Sequence, residues 1–521
     1  GLGDVYKRQH ININLNLLIF MRYSSLLLVF ALALSQAPCI SATTLPADYE
    51  FAPMYESIPF EMPPVHRPVI PGYEVSITDF GGNGDGHTKN TGAFAAAMKH
   101  LSEKGGGKLI VPAGIWYTGP IVFENNVELH LNSGALILFS SDRSDYPLID
   151  GYFEGNSAKR CQSPLTAIGK ENIAITGLGT INGNGGHWRP VKKSKMTDAQ
   201  WKNRCNDGAV GAKGDVWYPS DRIREVSEDK SFLNKAYTDN TDADWEYVHD
   251  FLRPVMLSFS NCKNVLLEDV TFENSPAWNL HPILCENVII NRVTVRNPWF
   301  AQNGDGLDAE SCKNVLVNRC SFDVGDDAIC IKSGKDKEGR DRGIPCENVL
   351  ITDCTVYHGH GGFVIGSEMS GGARNISIRN STFIGTDCGL RFKSTRGRGG
   401  VVESIWIDGI NMVDIAGDAL IFDLYYASKA PAQMVPVTEE TPAFRDIYIS
   451  NTVCRGAKRA MFFNGLPEMP VNNISVKNSL FSADTGATVN FVDGLTFDNV
   501  TINNATGERI TTHDVKNFTE K

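Results

Sequence analysis

A short phrase of alternating apolar and polar residues recurs along the chain. The clearest copies are NVLLEDVTF, NVIINRVTV, NVLVNRCSF, NVLITDCTV and NISIRNSTF, which begin at Asn264, Asn287, Asn314, Asn348 and Asn375. Earlier and weaker copies begin at Asn126, Asn172, Ser404, Asp446, Asn473 and Gly494. The period of two residues and the abundance of Val, Ile and Thr predict strands of about four to nine residues.

The spacing of these phrases predicts a solenoid. The clear copies are 23, 27, 34 and 27 residues apart, and no helical pattern of the length that a crossover needs lies between them. Parallel strands stacked coil on coil, about 4.8 Å apart, form a parallel β-helix. We therefore expect an all-β parallel β-helix. A helical stretch near Thr91–Glu103 is expected to cap the open end of its first coil.

Cysteine and asparagine recur at fixed places in the repeat. Four cysteines each lie two residues before a repeated Asn, namely Cys262, Cys285, Cys312 and Cys346, and Cys320 and Cys354 share another position. Thiols in a row cannot surround a zinc ion tetrahedrally, so we expect a stacked row of small buried side chains and no metal site. The repeated Asn is expected to be a stacked turn residue.

The amino-terminal part of the chain indicates export. From Met21 the sequence has one Arg, the apolar run Leu26–Leu34 and then small residues, as in a secretory signal peptide. Residues 1–20 precede this start, and their DVYKRQ segment resembles a sequencing adaptor read in frame. We expect residues 1–20 to be an artefact, 21–42 to be a signal peptide and 43–521 to be one catalytic domain of a secreted or periplasmic protein.

Composition narrows the possible partners. The formal net charge of −11 argues against a nucleic-acid binder, and the apolar runs are too short to cross a membrane. A long polar insertion at about 187–253 interrupts the repeats. It carries Trp188, Trp201, Trp217 and Trp245, whose rings either stack on sugars or pack within the insertion.

Ionisable residues lie at the start of one strand in four successive coils. Asp326 and His360 both lie 12 residues after a repeated Asn, and Arg391 and Lys393 lie 16 and 18 residues after the next one. Stacking of the coils should bring these four side chains to one strip of one sheet. Asp305 lies in the preceding coil.

Clustered carboxylates have a chemical use. Asp326, the adjacent Asp327 and Asp305 would repel one another, and this repulsion raises the pKa of at least one of them. Hydrolysis of a glycosidic bond by acid and base requires one protonated carboxyl and one ionised carboxylate. Aspartate and glycine also form ordinary turns, but such a cluster on four coils favours an active site.

Together these motifs resemble the polygalacturonase-type pectinases of glycoside hydrolase family 28, within the pectin-lyase-like β-helix superfamily. The four family motifs are present in order as Asn303-Gly304-Asp305, Asp326-Asp327, Gly359-His360-Gly361 and Arg391-Phe392-Lys393. The resemblance spans most of residues 75–505 and implies a right-handed parallel β-helix. It also implies inverting hydrolysis of α-1,4-galacturonosidic bonds in pectin.

The resemblance implies a role for each motif. Asp326 would be the general acid, Asp305 and Asp327 would position and deprotonate water, and His360 would control the protonation of the acid. An inverting site needs carboxyl groups roughly 6.5–9.5 Å apart. Substrate-binding candidates are Asn303, Arg391, Lys393, Arg396, Arg398, Tyr425, Tyr426 and His281. No cofactor or metal is expected.

Several alternatives remain open at this point. Within the family the substrate is homogalacturonan, rhamnogalacturonan or another pectin branch. Exo action is preferred, because the insertion and the Ser333–Pro345 loop could close one end of the cleft. Outside the family, the alternatives are a calcium-dependent pectate lyase and a non-catalytic β-helix that binds carbohydrate.

Overall fold

A computed structural model describes residues 49–428 and 433–521. The expected artefact at 1–20 and the expected signal peptide at 21–42 lie outside these residues. Within the described part of the chain, no helix is long and apolar enough to span a membrane.

The repeats form three parallel ladders of strands, and the right-handed parallel β-helix expected from the sequence is confirmed. The first ladder comprises Glu74–Ser76, Gly107–Val111, Val127–Leu131, Glu171–Gly177, Lys263–Glu268, Glu286–Asn291, Lys313–Asn318, Cys346–Thr352, Ala373–Arg379, Val401–Asp408 and Ala443–Ser450. The second comprises Gly114–Thr118, Ala135–Phe139, Thr180–Asn182, Thr271–Glu273, Thr294–Arg296, Ser321–Asp323, Thr355–Tyr357 and Thr382–Ile384.

The third ladder comprises Ile121–Val122, Leu165–Ile168, Leu257–Ser260, Leu280–Ile283, Leu307–Glu310, Asp327–Lys332, Gly361–Ile365 and Leu390–Lys393. Near the carboxyl terminus the strands lengthen. Asn411–Asp423 joins the second and third ladders, Val453–Asn464 pairs along it, and Val471–Glu520 pairs with the last strands before it.

Side chains stack in register from coil to coil. The repeated asparagines adopt left-handed φ values, such as 55° at Asn264 and 59° at Asn287, which Asn tolerates better than most residues. Each donates from Nδ2 to Oδ1 of the Asn in the preceding coil, at 2.9–3.2 Å from Asn172 to Asn375. The expected cysteine row also forms, and its four members are free and buried.

Several helices lie outside the coils. They are Ala52–Tyr55, Thr91–Glu103, Asp198–Arg204, Asp221–Glu228, Ser231–Asp239, Asp242–Val248 and Asp336–Arg342, with short 3-10 turns at Ile77–Phe80, Arg143–Asp145, Gly185–His187, Lys193–Lys195 and His249–Phe251. Phe94 and Leu101 of the predicted helix pack into the main core beside the first coils. Its capping role stays a prediction.

The insertion folds on itself. Besides four of these helices, it contains a three-stranded sheet of Val191–Lys192, Ala209–Val210 and Val216–Tyr218. Trp188 and Trp245 belong to a separate apolar cluster, and Trp217 is buried as well. These three indoles are buried, and Trp188 packs against Tyr146 outside the insertion, whereas Trp201 is only partly buried.

Two further structures were not predicted. A hairpin of Leu148–Phe153 and Asn156–Cys161 projects from the coils, and Glu154 and Gly155 form the turn at its tip with positive φ values. Such a turn between alternating residues is a recognisable hairpin signal. The second is the N-terminal segment, residues 49–73, which lies across the outer face of the first ladder.

The N-terminal segment covers an apolar column. Phe51, Met54, Tyr55, Phe60, Met62 and Val65 pack against outward-facing Ala174, Leu266, Ile289, Leu316 and Leu350. Arg67 anchors the segment through two bonds of 2.7 Å to the Glu268 carboxylate. The segment therefore shields a stripe of the solenoid that would otherwise face water.

We predict that Phe60→Ala lowers the free energy of unfolding by about 3 kcal/mol, because Phe→Ala in a core leaves a cavity. Phe60 is 8% exposed, and its ring stacks 5.3 Å from that of Trp406. Chemical denaturation measures the change. Val69→Ala is the control, since Val69 is 83% exposed and should change nothing. Equal stability of both variants would contradict the docked arrangement.

Candidate active site

The third ladder brings the three predicted carboxylates together. The His360 N–H donates to the Asp326 carbonyl, and the Gly306 N–H donates to the Asp327 carbonyl, both at 2.9 Å. These bonds align Asp326 with His360 in adjacent coils, and they align Asp305 with Asp327. The predicted strip of ionisable residues therefore exists.

The three carboxylates are close to one another. One oxygen each of Asp305, Asp326 and Asp327 lies within 4.8 Å of the other two. These nearest oxygens are closer than the gap of roughly 6.5–9.5 Å expected between the carboxyl groups of an inverting site. The distance therefore gives inversion no support, and inversion rests on the family resemblance.

His360 controls the charge of Asp326. Its Nδ1 lies 3.1 Å from Asp326 Oδ1, and its Nε2 lies 3.7 Å from Asp387 Oδ2. Burial alone would raise the pKa of Asp326, but the hydrogen bond and charge of His360 outweigh it and lower that pKa to about 2. The same hydrogen bond raises the pKa of His360. Without substrate, the proton of this pair resides on the imidazole.

Asp305 holds a proton more readily. Burial, followed by the charge of Asp308, raises the pKa of Asp305 well above its ordinary value. Burial likewise raises the pKa of Asp308, although the ammonium of Lys332 opposes it at 3.5 Å. Lys332 also binds the Glu368 carboxylate at 3.0 Å. The sequence analysis did not identify Asp308, Lys332 and Glu368. The pairing of strands in the third ladder brings these three side chains together.

The two predicted cations, Lys393 and Arg391, contact Asp327 at different distances. Lys393 Nζ lies 2.6 Å from Asp327 Oδ2, whereas Arg391 reaches Oδ1 of the same residue only at 3.4 Å. Burial alone would lower the pKa of Lys393, but Asp327 outweighs it and raises that pKa. The Tyr426 ring lies under both cations, at 5.0 Å from Lys393 and 5.6 Å from Arg391. Arg391 keeps donors that a ligand can use.

Arg396 and Arg398 have other partners. Arg396 binds both Glu468 oxygens, at 2.6 and 2.9 Å, and its guanidinium lies over the Tyr425 ring. Arg398 pairs with Asp336 and donates from Nε to the Ser367 carbonyl at 3.1 Å. Both arginines therefore form ion pairs within the protein.

His281 and Asn303 are also engaged within the protein. The buried His281 bonds through Nε2 to Glu310 Oε2 at 2.9 Å, and its ring does not reach the surface. Asn303 Oδ1 accepts a 2.6 Å bond from Arg253, and its backbone N–H donates to Asp326 at 3.3 Å. Sequence reasoning missed Arg253, which no motif indicated.

The hairpin and the helix Asp336–Arg342 contact each other just after the strand Asp327–Lys332. Phe153 at the hairpin tip stacks on Trp278, with ring centres 5.3 Å apart. The Lys335 N–H donates to the Gly155 carbonyl at 3.0 Å, and Glu338 accepts from the Ser157 N–H at 2.8 Å. This joined structure, which we call the end wall, connects the hairpin of the earlier coils with the helix that follows the Asp327–Lys332 strand.

Known proteins are similar to this chain in sequence. The model described as "Glycosyl hydrolases family 28" matches residues 249–449. A probable polygalacturonase of Vitis vinifera is 29% identical over 416 residues, which cover 78% of this chain and 74% of that protein. An exo-poly-alpha-D-galacturonosidase of Dickeya chrysanthemi is 29% identical over 397 residues, covering 72% of this chain and 63% of that protein.

A solved structure is similar as well. The hyperthermoactive exopolygalacturonase from Thermotoga maritima shares 33% identity with this chain, at a TM-score of 0.72. The match covers 85% of this chain and 95% of that one. The resemblance drawn from the four motifs is therefore confirmed at the level of the whole fold.

We predict a pH-dependent effect of His360→Gln on stability. The raised pKa of His360 stabilises the fold below about pH 6.5, and this contribution is lost as the pH rises through the folded value. The lowered pKa of Asp326 stabilises it above about pH 4 and is lost on acidification toward pH 2. The variant should therefore be less stable than the wild type mainly between about pH 4 and 6.5.

The expected difference is about 1 kcal/mol or less, because the His360 side chain is 36% exposed and water screens its charge. Denaturation at a series of pH values measures it. His358→Gln is the control, since His358 pairs with Asp323 on the surface at 62% exposure. A difference that is constant across pH would contradict the Asp326–His360 pairing.

Proposed function

The chain belongs to glycoside hydrolase family 28, and we propose that it is an exo-acting polygalacturonase that cleaves by an inverting acid–base mechanism. As a member of this family it is a glycoside hydrolase, and its relatives act on polygalacturonate. The observation that carries the catalytic proposal is the triad of Asp305, Asp326 and Asp327 in contact with His360 and Lys393.

The proton for the leaving oxygen comes from the pair of Asp326 and His360. Their 3.1 Å contact lets one proton move to the carboxyl group when bound substrate displaces water and disfavours separated charges. Asp326 then gives this proton to the glycosidic oxygen as the bond to the anomeric carbon breaks. After the reaction, His360 and solvent restore the proton.

Water attack is assigned to the other two carboxyl groups. Lys393 Nζ pairs with Asp327 at 2.6 Å, and Asp327 is assigned as the base that accepts the proton of the attacking water. Asp305, whose pKa is raised, is protonated more readily and orients the water through a hydrogen bond. The oxygen of water joins the anomeric carbon, which becomes a new reducing end.

Arg391 is assigned to the substrate. Its guanidinium lies 3.4 Å from Asp327 Oδ1 and over the Tyr426 ring, so it has donors left for a galacturonate carboxylate. Arginine binds carboxylates with two parallel hydrogen bonds, which fixes the orientation of the sugar as well as its charge. Tyr426 offers a flat apolar surface beside the same sugar.

Exo action is supported by the end wall. The contacts of Lys335 with Gly155 and of Glu338 with Ser157 join the hairpin to the helix Asp336–Arg342 beside the triad. A polymer cannot pass through this wall, so the substrate chain must begin there and extend past Arg391. Each cycle then releases a single terminal sugar.

The test uses purified mature protein on polygalacturonate with a metal chelator present. We predict new reducing ends, galacturonate as the sole early product and no unsaturated product absorbing in the ultraviolet. Asp326→Asn should lower kcat by at least about 100-fold, since it removes the general acid. Chelator-sensitive ultraviolet absorbance would instead indicate a lyase, and activity only on branched pectin would indicate a rhamnogalacturonan hydrolase.

The end wall has its own variant in the same assay. Shortening the hairpin at residues 151–158 should open the wall and add oligomers to the early products, while hydrolysis continues. An unchanged product pattern would show that exo action does not depend on the end wall. Shortening the exposed turn at residues 212–214 of the insertion is the matched control and should leave the products unchanged.

We also propose that the protein is exported, to the periplasm or out of the cell. The support is the charged, apolar and small-residue order of residues 21–42. We predict that cells expressing the chain from Met21 deliver a protein that begins near residue 42 outside the cytoplasm. Edman sequencing of the fractionated protein tests this. An unprocessed cytoplasmic product would contradict it.

A further inference from the structure

Three arginines near the end wall have no acidic partner. Arg160 donates to the Arg253 carbonyl, and Arg189 donates to the Ser275 carbonyl and, at 2.7 Å, to Asn274 Oδ1. Arg253 donates to the Pro276 and Gln302 carbonyls, at 3.0 and 2.9 Å, and to Asn303 Oδ1 at 2.6 Å. Within the described residues, these guanidinium groups form no ion pair with a carboxylate, and each binds neutral oxygens.

Unpaired cations in a protein interior are costly, because burial removes their hydration without returning an opposite charge. Burial lowers the pKa of Arg253 to about 10, although the charges of Glu154, Asp305 and Asp326 oppose this shift. Burial, followed by the charge of Arg253, lowers the pKa of Arg189 to about 9. Arg160 is affected in the same way. Among the described residues the three guanidinium groups beside the triad therefore have no directly paired carboxylate, and the carboxylate of a bound ligand would supply one.

Arg253 is the member that can meet a ligand. Arg253 is a partly exposed residue that reaches Asn303 beside the triad, whereas Arg189 is buried. Arg160 is also partly exposed, but it donates to the Arg253 carbonyl. Three of the five N–H groups of Arg253 make the bonds described above, and its Nε forms none among the described residues. Two donors therefore remain, which is the number that a bidentate carboxylate needs.

The position of Arg253 complements that of Arg391. Arg253 precedes the strand Leu257–Ser260 and reaches the loop that carries Asn303 and Asp305, so it flanks the triad from the earlier coils. Arg391 flanks it from the later coils. Polygalacturonate carries one carboxylate on every sugar, so the two sugars joined by the scissile bond present one anion to each side.

Resting on the proposed function, we infer that Arg253 binds the carboxylate of the terminal galacturonate, the sugar between the triad and the end wall. Arg160 and Arg189 add positive charge behind it. The site thus selects a uronate on both sides of the cleaved bond. Arg253 also holds Asn303 in place, so the test must distinguish ligand binding from a structural role.

The probes are digalacturonate and its two monomethyl esters, each with one neutral carboxyl group. We predict that the wild type hydrolyses each ester about 10- to 100-fold less efficiently than the diacid, since an ion-paired hydrogen bond is lost in each case. Arg253→Gln should abolish the loss of efficiency for the ester of the terminal sugar only. Arg391→Gln should abolish it for the ester of the other sugar only. Each variant lowers kcat/KM for the diacid.

A structural role would give a different result. If Arg253→Gln reduced kcat/KM by the same factor for the diacid and both esters, Arg253 would act only through Asn303 and the inference would fail. Arg253→Lys covers the case in which the glutamine variant does not fold. It keeps the charge but not the paired donors, so it should reduce the same ester penalty partly.

Different results would contradict the proposed function and the inference about Arg253. A wild type that hydrolyses none of the three probes and does not act on polygalacturonate would overturn the proposed function. A wild type that hydrolyses the diacid and the ester of the terminal sugar equally well would leave that function intact and overturn the inference. Arg204→Gln, a basic residue that lies against Trp217 in the insertion, is the control and should keep both penalties.

Discussion

The register between coils is the constraint on which the site depends. The side-chain amides of the repeated asparagines bond to one another from coil to coil, and their left-handed backbone turns the chain at the same point each time. A slip of one residue would break this row and turn core side chains outward. Because the row fixes the register, residues equally distant from it in sequence, such as Asp326 and His360, become neighbours in space.

Burial then gives similar carboxyl groups different properties. Asp326 faces an imidazole and loses its proton readily, whereas Asp305 faces Asp308 and retains one. Asp327 is held by the Lys393 ammonium. Carboxyl groups whose oxygens lie within 4.8 Å of one another can therefore take different roles, since their neighbours differ.

Segments outside the coils decide what the strip can bind. A β-helix alone presents an open groove along its axis, which suits a polymer that binds anywhere along its length. Under the proposed exo action, the hairpin, the helix Asp336–Arg342 and the folded insertion close this groove at one end. Arg253, at the end of the insertion, leaves unpaired positive charge beside the closed end. On the same proposal, these additions determine the length and the charge of the sugar chain that fits.

The sequence alone determined the solenoid, the stacking of Asn and Cys, the helix at Thr91–Glu103 and the strip of aspartates, because all of these follow from a short local period. It did not reveal the docking of the N-terminal segment or the Phe153–Trp278 contact. The sequence also led us to expect that Arg396 and His281 bind the substrate. In the structure Arg396 pairs with Glu468, and His281 pairs with Glu310. These features join residues far apart in the chain, and only the tertiary structure decides which charges meet and which remain unpaired.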